Sequence, residues 1–386
     1  MRILIVTPIF PPEIGGPATY TAELARDLVK RGHSVTVVTF SRGPVDNIPG
    51  VDVVPVSLVG TMLGRQRRLL STLVHYSQNA DIIYSQGGVD VGLGSLITAR
   101  YRGLTSVVKY VGDLSWEPAY VTGKTRKLLD KFLERPDAGL YYDFIRRVQG
   151  FVLRHTDLVV VPSNYLMDLL VKHYRLSRRK IHVILNAVDL DAYARVTPEA
   201  ALSGNPRLST IGRFVPWKNI DGIIEAMSIL ITDFPEARLY IIGSGPEQGR
   251  LEALVESLGL GKNITFTGRL EHDATLSIVK GTDTFLLNSS YEGLPHVVIE
   301  AMALGIPVVA TDIEGTRETI EDGVTGYLFP LGSTSELADR IKHLIEDAPR
   351  RERIVERART SLATHFNWKR NVSVLEGLFK ELVGQR

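Results

Sequence analysis

The 386-residue chain contains no cysteine. That excludes disulfides, thiolate metal centres and cysteine nucleophiles, and it fits a reducing compartment. No run of about 18 apolar residues, the length a bilayer-spanning helix needs, occurs in it. The opening MRILIVTPIF holds one positive charge and a short apolar run that Pro8, Pro11 and Pro12 stop at strand length. It reads as a first strand and not as a signal peptide, whose apolar region is longer and ends in small residues. The glycine spacing GxGxxG of nicotinamide and flavin sites is also missing, which disfavours a hydride-transferring dehydrogenase. Strong net charge is absent too: +2 overall, so nothing suggests a nucleic-acid partner. The charge is unevenly spread, however. Residues 1–190 carry 24 Lys and Arg against 16 Asp and Glu, and residues 191–386 carry 21 against 27. A basic first half suits an anionic partner or membrane surface, or is an ordinary set of solvated helix faces.

What is present is a globular composition, 44% apolar and 23% charged, at a length that suggests two domains of about 100–200 residues each. Apolar strand-like segments at 3–7, 35–39, 51–56, 81–85, 106–111, 158–162 and 183–185 alternate with helical patterns such as 20–31. The rhythm repeats at 208–212, 238–243, 264–267, 284–288, 307–311 and 326–329, with a helical pattern at 220–232. Many of these strands are continuous β-branched runs, the mark of strands buried on both faces of a parallel sheet. The expected class is α/β: two Rossmann-like, doubly wound parallel-sheet domains facing across a cleft. The first should span 1–190 and the second 206–364, joined by a segment around 186–206 without sustained pattern. A helical tail over 365–386 presents Phe366, Trp368, Val374, Leu375, Leu378 and Phe379.

Three strand–glycine–proline–helix junctions stand out: Gly15, Gly16 and Pro17; Gly243, Gly245 and Pro246; and Gly293, Leu294 and Pro295, followed by His296 and Val297. Glycine lets a backbone approach an anion closely, and proline suits the first helical position. The N–H groups behind them, with the helix dipole, attract phosphate. Taken singly, each junction is equally a turn with its cap; three in one chain point to an anion. Glu292 precedes the third helix start and Glu300 lies inside that helix, among Val297, Val298, Ile299, Ala301 and Met302. A carboxylate in such an apolar run needs a partner or bound hydroxyls. Arg213 and Lys218, just past the strand at 208–212, are two cations placed to neutralise a diphosphate.

Residues 283–318 resemble the paired-carboxylate signature, E-x7-E, of the retaining glycosyltransferase family four, of GT-B fold. GGPATYTAELARDLVKRGHSVTVVT, VVPSNYL, NAVDLDAY, IGRFVPWKN, IIGSGPE and ITFTGRL are similar to that family's other landmarks in the same order. The resemblance covers nearly the whole chain. It implies that Glu292 contacts the donor sugar's hydroxyls, Glu300 grips the ribose, and Arg213 with Lys218 clamps the diphosphate. Backbone N–H groups of Gly16, His296 and Val297 would complete the phosphate cradle, and Gly268–Arg269 would line the base pocket. The tail helix would cross back onto the first domain. Where many relatives carry a histidine after the strand at 106–111, this chain has KYVGDLSWE, which puts Asp113 or Glu117 there. Asp113 is expected to position donor sugar or acceptor, or to serve as a turn residue. Asp189-x-Asp191 imitates a metal-binding DxD but falls in the linker. No cofactor or essential divalent metal is expected.

The expected function is therefore transfer of a sugar from a UDP-, GDP- or ADP-sugar to a saccharide or lipid-linked acceptor, in glycan, polysaccharide or glycolipid synthesis. The acceptor should meet first-domain loops at 60–68 and 112–147, where Arg65, Arg67, Arg68, Lys124, Arg126, Lys127, Arg146 and Arg147 lie among apolar residues. Such loops suit a cytoplasmic protein in peripheral contact with anionic lipid on the inner face of the membrane. Two alternatives stay open: a nucleotide-sugar epimerase or hydrolase of the same fold, and a non-catalytic nucleotide-sugar-binding module.

Overall fold

The computed structural model describes residues 1–13 and 15–385. It divides into two units, Met1–Ile184 with Lys369–Arg386, and Leu185–Trp368. In the first unit, β1 (Arg2–Thr7), β2 (Ser34–Ser41), β3 (Val51–Ser57), β4 (Ile82–Gln86), β5 (Thr105–Lys109), β6 (Leu158–Val161) and β7 (Ile181–Val183) form one sheet. Its order is β3-β2-β1-β4-β5-β6-β7, and every pairing is parallel. The second unit repeats the plan with β8 (Arg207–Ile211), β9 (Arg238–Ile242), β10 (Ile264–Gly268), β11 (Thr284–Leu287), β12 (Val308–Thr311) and β13 (Tyr327–Phe329). Here the order is β10-β9-β8-β11-β12-β13, again all parallel. Both are Rossmann-like sheets.

The strands form because their side chains are apolar on both faces: Ile3, Leu4, Ile5 and Val6 are all buried, as are Phe285, Leu286 and Leu287. The helix Gly16–Lys30 shows the complementary pattern, burying Ala18, Thr21, Ala22, Leu24, Ala25 and Leu28 along one stripe. In each sheet the chain first builds outward from its first strand and then returns to that strand's other side. The reversal falls between β1 and β4 in one unit and between β8 and β11 in the other. In open parallel sheets such a reversal, at the carboxyl ends of the strands, is where ligands are commonly taken.

The sequence reading and the structure differ in two places worth explaining. The seventh strand runs Ile181–Val183 and not 183–185, because Ile181 takes its register opposite Val159 and Leu185 already belongs to the second unit. The linker expected to be patternless holds a short helix, Leu190–Ala194, whose N-cap Asp189 accepts a hydrogen bond from the Asp191 N–H at 3.1 Å. That contact accounts for the first aspartate of the DxD look-alike as a cap.

The helix Trp368–Gly384 is fastened to the first unit from Lys369 onward. Phe379 is fully buried, its ring meeting that of Tyr84 edge-on at 5.3 Å. Beside it, Glu376 accepts from Lys380 Nζ at 2.6 Å, from Arg31 Nη1 at 3.0 Å and pairs with His33 Nε2 at 3.0 Å. The hydrogen bond from Lys380, with those from His33 and Arg31, holds the Glu376 carboxyl down at about 2. A depressed carboxyl stabilises the folded state above its unfolded value and ceases to do so as pH falls toward the folded one. Glu376→Gln is therefore expected to cost about 1–2 kcal/mol at pH 7. In urea unfolding, its deficit relative to wild type should hold constant above about pH 5 and shrink between about 4.5 and 2; a deficit independent of pH would show that the carboxylate charge is not what fastens the helix.

Candidate functional site

The loops leaving β8 and β9 are pressed together backbone to backbone. The Phe214 N–H donates to the Ser244 carbonyl at 3.0 Å and the Glu247 N–H to the Phe214 carbonyl at 3.1 Å. A Cβ on Gly243 would stand 2.0 Å from the Gly212 oxygen, and one on Gly245 2.4 Å from the Phe214 oxygen. Gly243, at φ +133°, thus owes its small size to a neighbouring carbonyl of the chain itself. Gly268, at φ +72°, follows a register shift in β10, and its carbonyl accepts from the Gly243 N–H at 3.0 Å. Arg269 comes directly after it.

Beyond Phe214 the chain makes a 3-10 turn, Pro216–Lys218, closed by Asn219 in the left-handed region at φ +43°. This turn is stitched to the loop after β11 by an amide exchange. Asn219 Nδ2 donates to the Asn288 carbonyl at 3.0 Å, and Asn288 Nδ2 returns to the Asn219 carbonyl at 2.9 Å. The Ser290 N–H adds a bond to the Trp217 carbonyl at 2.7 Å. The two loops flank the β8/β11 reversal, and their union brings Lys218 Nζ to 2.6 Å from Glu292 Oε1. Both side chains are largely buried, so the charge-assisted bond is little screened. Glu292 is also held from behind: a Cβ on Gly315 would lie 2.1 Å from its carbonyl oxygen. Arg213, by contrast, is exposed. Sequence reading named Lys218 and Glu292 separately, one for the diphosphate and one for the sugar, and did not foresee their contact, nor Gly315, Asn219 or Asn288, whose partners are remote in the chain.

Gly293 and Leu294 are buried, and the Leu294 carbonyl accepts from Asn186 Nδ2 at 3.0 Å. The helix His296–Ala303 then starts at Pro295, and the N–H groups of its first turn, His296 and Val297, precede the point where helical bonding begins. One turn in, Glu300 is 7% exposed yet well supplied. Tyr193 Oη donates to its Oε1 at 3.0 Å, with His296 Nε2 at 3.5 Å and His272 Nε2 at 3.7 Å. Burial lowers the His272 imidazole below its ordinary value, so at neutral pH this neighbour adds little positive charge. Tyr193 and His272 come from segments far from Glu300 in sequence. Only the acid's place in an apolar run hinted that such partners must exist.

In the first unit, Gly16 opens the helix Gly16–Lys30 with Gly15 as its cap. A Cβ on Gly15 would come 2.8 Å from the Ile9 side chain, whereas Gly16 has open space. Of the two readings of Asp113, a group that positions donor sugar or acceptor and a turn residue, its contacts fit the turn residue. Its carboxylate is 0% exposed. Oδ1 accepts from Ser115 N and Oγ and from Trp116 N at 2.5–3.1 Å. Oδ2 accepts from Tyr174 Oη, Gln149 Nε2 and Tyr110 Oη at 2.5–3.2 Å. Every lone pair is used within the fold, so Asp113 organises the loop after β5. The acid that lies over this loop is Glu117, since a Cβ on Gly112 would meet its Oε1 at 2.1 Å.

Known proteins share this plan. The family description "Glycosyltransferase Family 4" matches residues 14–192, and "Glycosyl transferases group 1" matches residues 198–361. The chain belongs to the glycosyltransferases of family four. Alpha-D-kanosaminyltransferase of Streptomyces kanamyceticus is 32% identical over 50% of this chain and 51% of its own, so the match spans about half of that relative. N-acetyl-alpha-D-glucosaminyl L-malate synthase of Bacillus anthracis is 25% identical over 96% of this chain and 95% of its own. Among solved structures, Anabaena HepE in complex with UDP and glucose superposes with a TM-score of 0.80 at 20% identity, covering 99% of this chain and all of that one. The likeness extends to the GT-B fold. No helix among the described residues of this glycosyltransferase is long and apolar enough to cross a membrane.

Replacing Asp113 by Asn would set an amide N–H₂ among donors and leave buried groups unpaired. The expected loss is about 2–4 kcal/mol in chemical unfolding. A variant that unfolds like wild type yet loses activity would return Asp113 to the reacting groups.

Proposed function

We propose that this glycosyltransferase moves a sugar from a nucleoside-diphosphate sugar to a saccharide or lipid-linked acceptor, with retention at the anomeric carbon and without an essential divalent metal. The observation that carries the reading is the Lys218–Glu292 contact of 2.6 Å, set at the β8/β11 reversal beside the braced Glu300. In this reading Glu300 accepts hydrogen bonds from the ribose hydroxyls and Glu292 from hydroxyls of the donor sugar. Lys218 and Arg213 neutralise the diphosphate, helped by the N–H groups of His296 and Val297 at the positive end of their helix. Gly268 and Arg269 border the base. UDP, GDP and ADP are the candidate nucleotides, and the UDP held by HepE makes UDP the first to try.

The chemistry asked of these groups is stabilisation of charge. As the bond from the anomeric carbon to the phosphate oxygen breaks, negative charge grows on that oxygen. Prepositioned cations and N–H groups hold it more tightly in the transition state than in the bound donor. The acceptor hydroxyl attacks from the same face, its proton passes to the departing phosphate, and nucleoside diphosphate leaves. Such a route needs no protein nucleophile, in keeping with a Glu292 occupied with Lys218 and sugar hydroxyls.

For the acceptor, we propose the basic, apolar surface of the first unit, and a cytoplasmic face of an anionic membrane as the place it is met. The helix Leu140–His155 leaves Leu140 91% exposed, with Tyr141, Phe144 and Phe151 also exposed. Met62 and Leu63 are exposed as well, and so are Arg67, Lys124 and Arg126. Arg146 and Arg147 contribute less charge than their number suggests, because both pair with Asp143.

Two measurements test these readings. In a thermal-shift screen of UDP, GDP and ADP without added metal, one nucleotide should stabilise the protein saturably. Glu300→Ala should weaken it by about 10–100-fold, and Lys218→Ala should lower turnover by about 100–1,000-fold. No stabilisation by any of the three at millimolar concentration would overturn the donor assignment. In flotation at low salt, the protein should rise with anionic but not neutral vesicles, and Leu140→Asp with Phe144→Asp should abolish it; a wild-type protein that stays at the bottom with both removes the membrane from the proposal.

A further inference from the structure

The carboxyl end of the first sheet holds a buried cation that nothing above uses. Lys109 closes β5 and stands in register beside Gln86, which closes β4, so the two side chains leave the sheet on one face. Lys109 is only 4% exposed, and among the described residues no carboxylate forms an ion pair with it. Its ammonium lies 3.1 Å over the centre of the Tyr20 ring, and burial pulls it from its ordinary value down to about 7. Tyr20 Oη in turn shares a hydrogen bond of 3.2 Å with Tyr84 Oη, two residues before Gln86 on the same face. Gln86 is 7% exposed, and its amide nitrogen, turned toward the Tyr84 hydroxyl, makes no well-formed hydrogen bond among the described residues.

A ring face compensates a cation only in part, and a buried donor without an acceptor is destabilising. Two such donors, one cationic, side by side at the carboxyl end of an open parallel sheet, the end where ligands enter, are complementary to a group rich in acceptor oxygens. We propose that Lys109 and Gln86, walled by Tyr20 and Tyr84, form an anion subsite that takes a phosphate or carboxylate carried by the acceptor. The word acceptor rests on the transferase reading above; the subsite rests on the side chains alone. Lys109 acts here by binding, and the lysine is kept charged by the ligand it holds.

The test is a thermal-shift titration of the full chain with inorganic phosphate and with malonate, ionic strength held constant with chloride. Wild type, Lys109→Met, Gln86→Leu and Lys218→Met are compared, each also with the nucleotide that stabilises wild type. At least one anion should raise the wild-type Tm saturably, and Lys109→Met should lose most of that shift. Gln86→Leu should lose part of it, and Lys218→Met should keep the share that Lys109→Met loses. Phosphate or malonate, whichever acts, names the acidic group. Without anion, Lys109→Met should melt at or above the wild-type temperature, because an uncompensated charge has gone. A full anion response in Lys109→Met, or no response of wild type to either anion, overturns the subsite; so does a lowered Tm with the response intact, which makes the lysine structural. Failure of every nucleotide, with the Lys109-dependent response present, overturns the donor reading and leaves the subsite standing.

Discussion

A parallel sheet buried on both faces satisfies its backbone internally and admits ligands only at its ends. In both units of this chain the strand order reverses beside the first strand. In the second unit the loops leaving the two strands on either side of the reversal are the ones that carry Arg213, Lys218 and Glu292. Topology thus sets where these three side chains stand before any contact between them forms.

Placement alone would leave flexible charges on two mobile loops. Instead the loops are tied to each other by the reciprocal amide bonds of Asn219 and Asn288 and by the Ser290 N–H on the Trp217 carbonyl. They are also backed by close backbone approaches at Gly243, Gly245 and Gly315 that no larger residue permits. A carboxylate and an ammonium held in this way are fixed by the fold itself, and under the proposed donor reading little ordering is left for binding to do. Glu300 is treated alike: an acid inside an apolar helix is costly to bury, and Tyr193 and His296 offset that cost while fixing its orientation.

Asp113 and Lys109 show opposite uses of burial within one short stretch. Asp113 takes six hydrogen bonds from five residues and is closed to further partners. Lys109, four residues earlier, has an aromatic face and, among the described residues, no counter-charge. A saturated buried charge stabilises a loop, whereas an unsaturated one is complementary to something outside the chain.

The alternation of β-branched runs with helical stripes determined the two-sheet α/β plan, because burial on both faces demands continuous apolar strands. Glycine–proline junctions marked the loops, and Glu300 stood out as an acid inside an apolar run, eight residues after Glu292. All of these are local signals, set by neighbours within a few residues. Tertiary structure alone decided which distant groups complete them. Tyr193 and His272 reach Glu300, Gly315 backs Glu292, and Tyr174 and Gln149 close over Asp113. An isolated segment does not state which remote atom will lie 3 Å from it, since that distance is set by how the sheets order their strands.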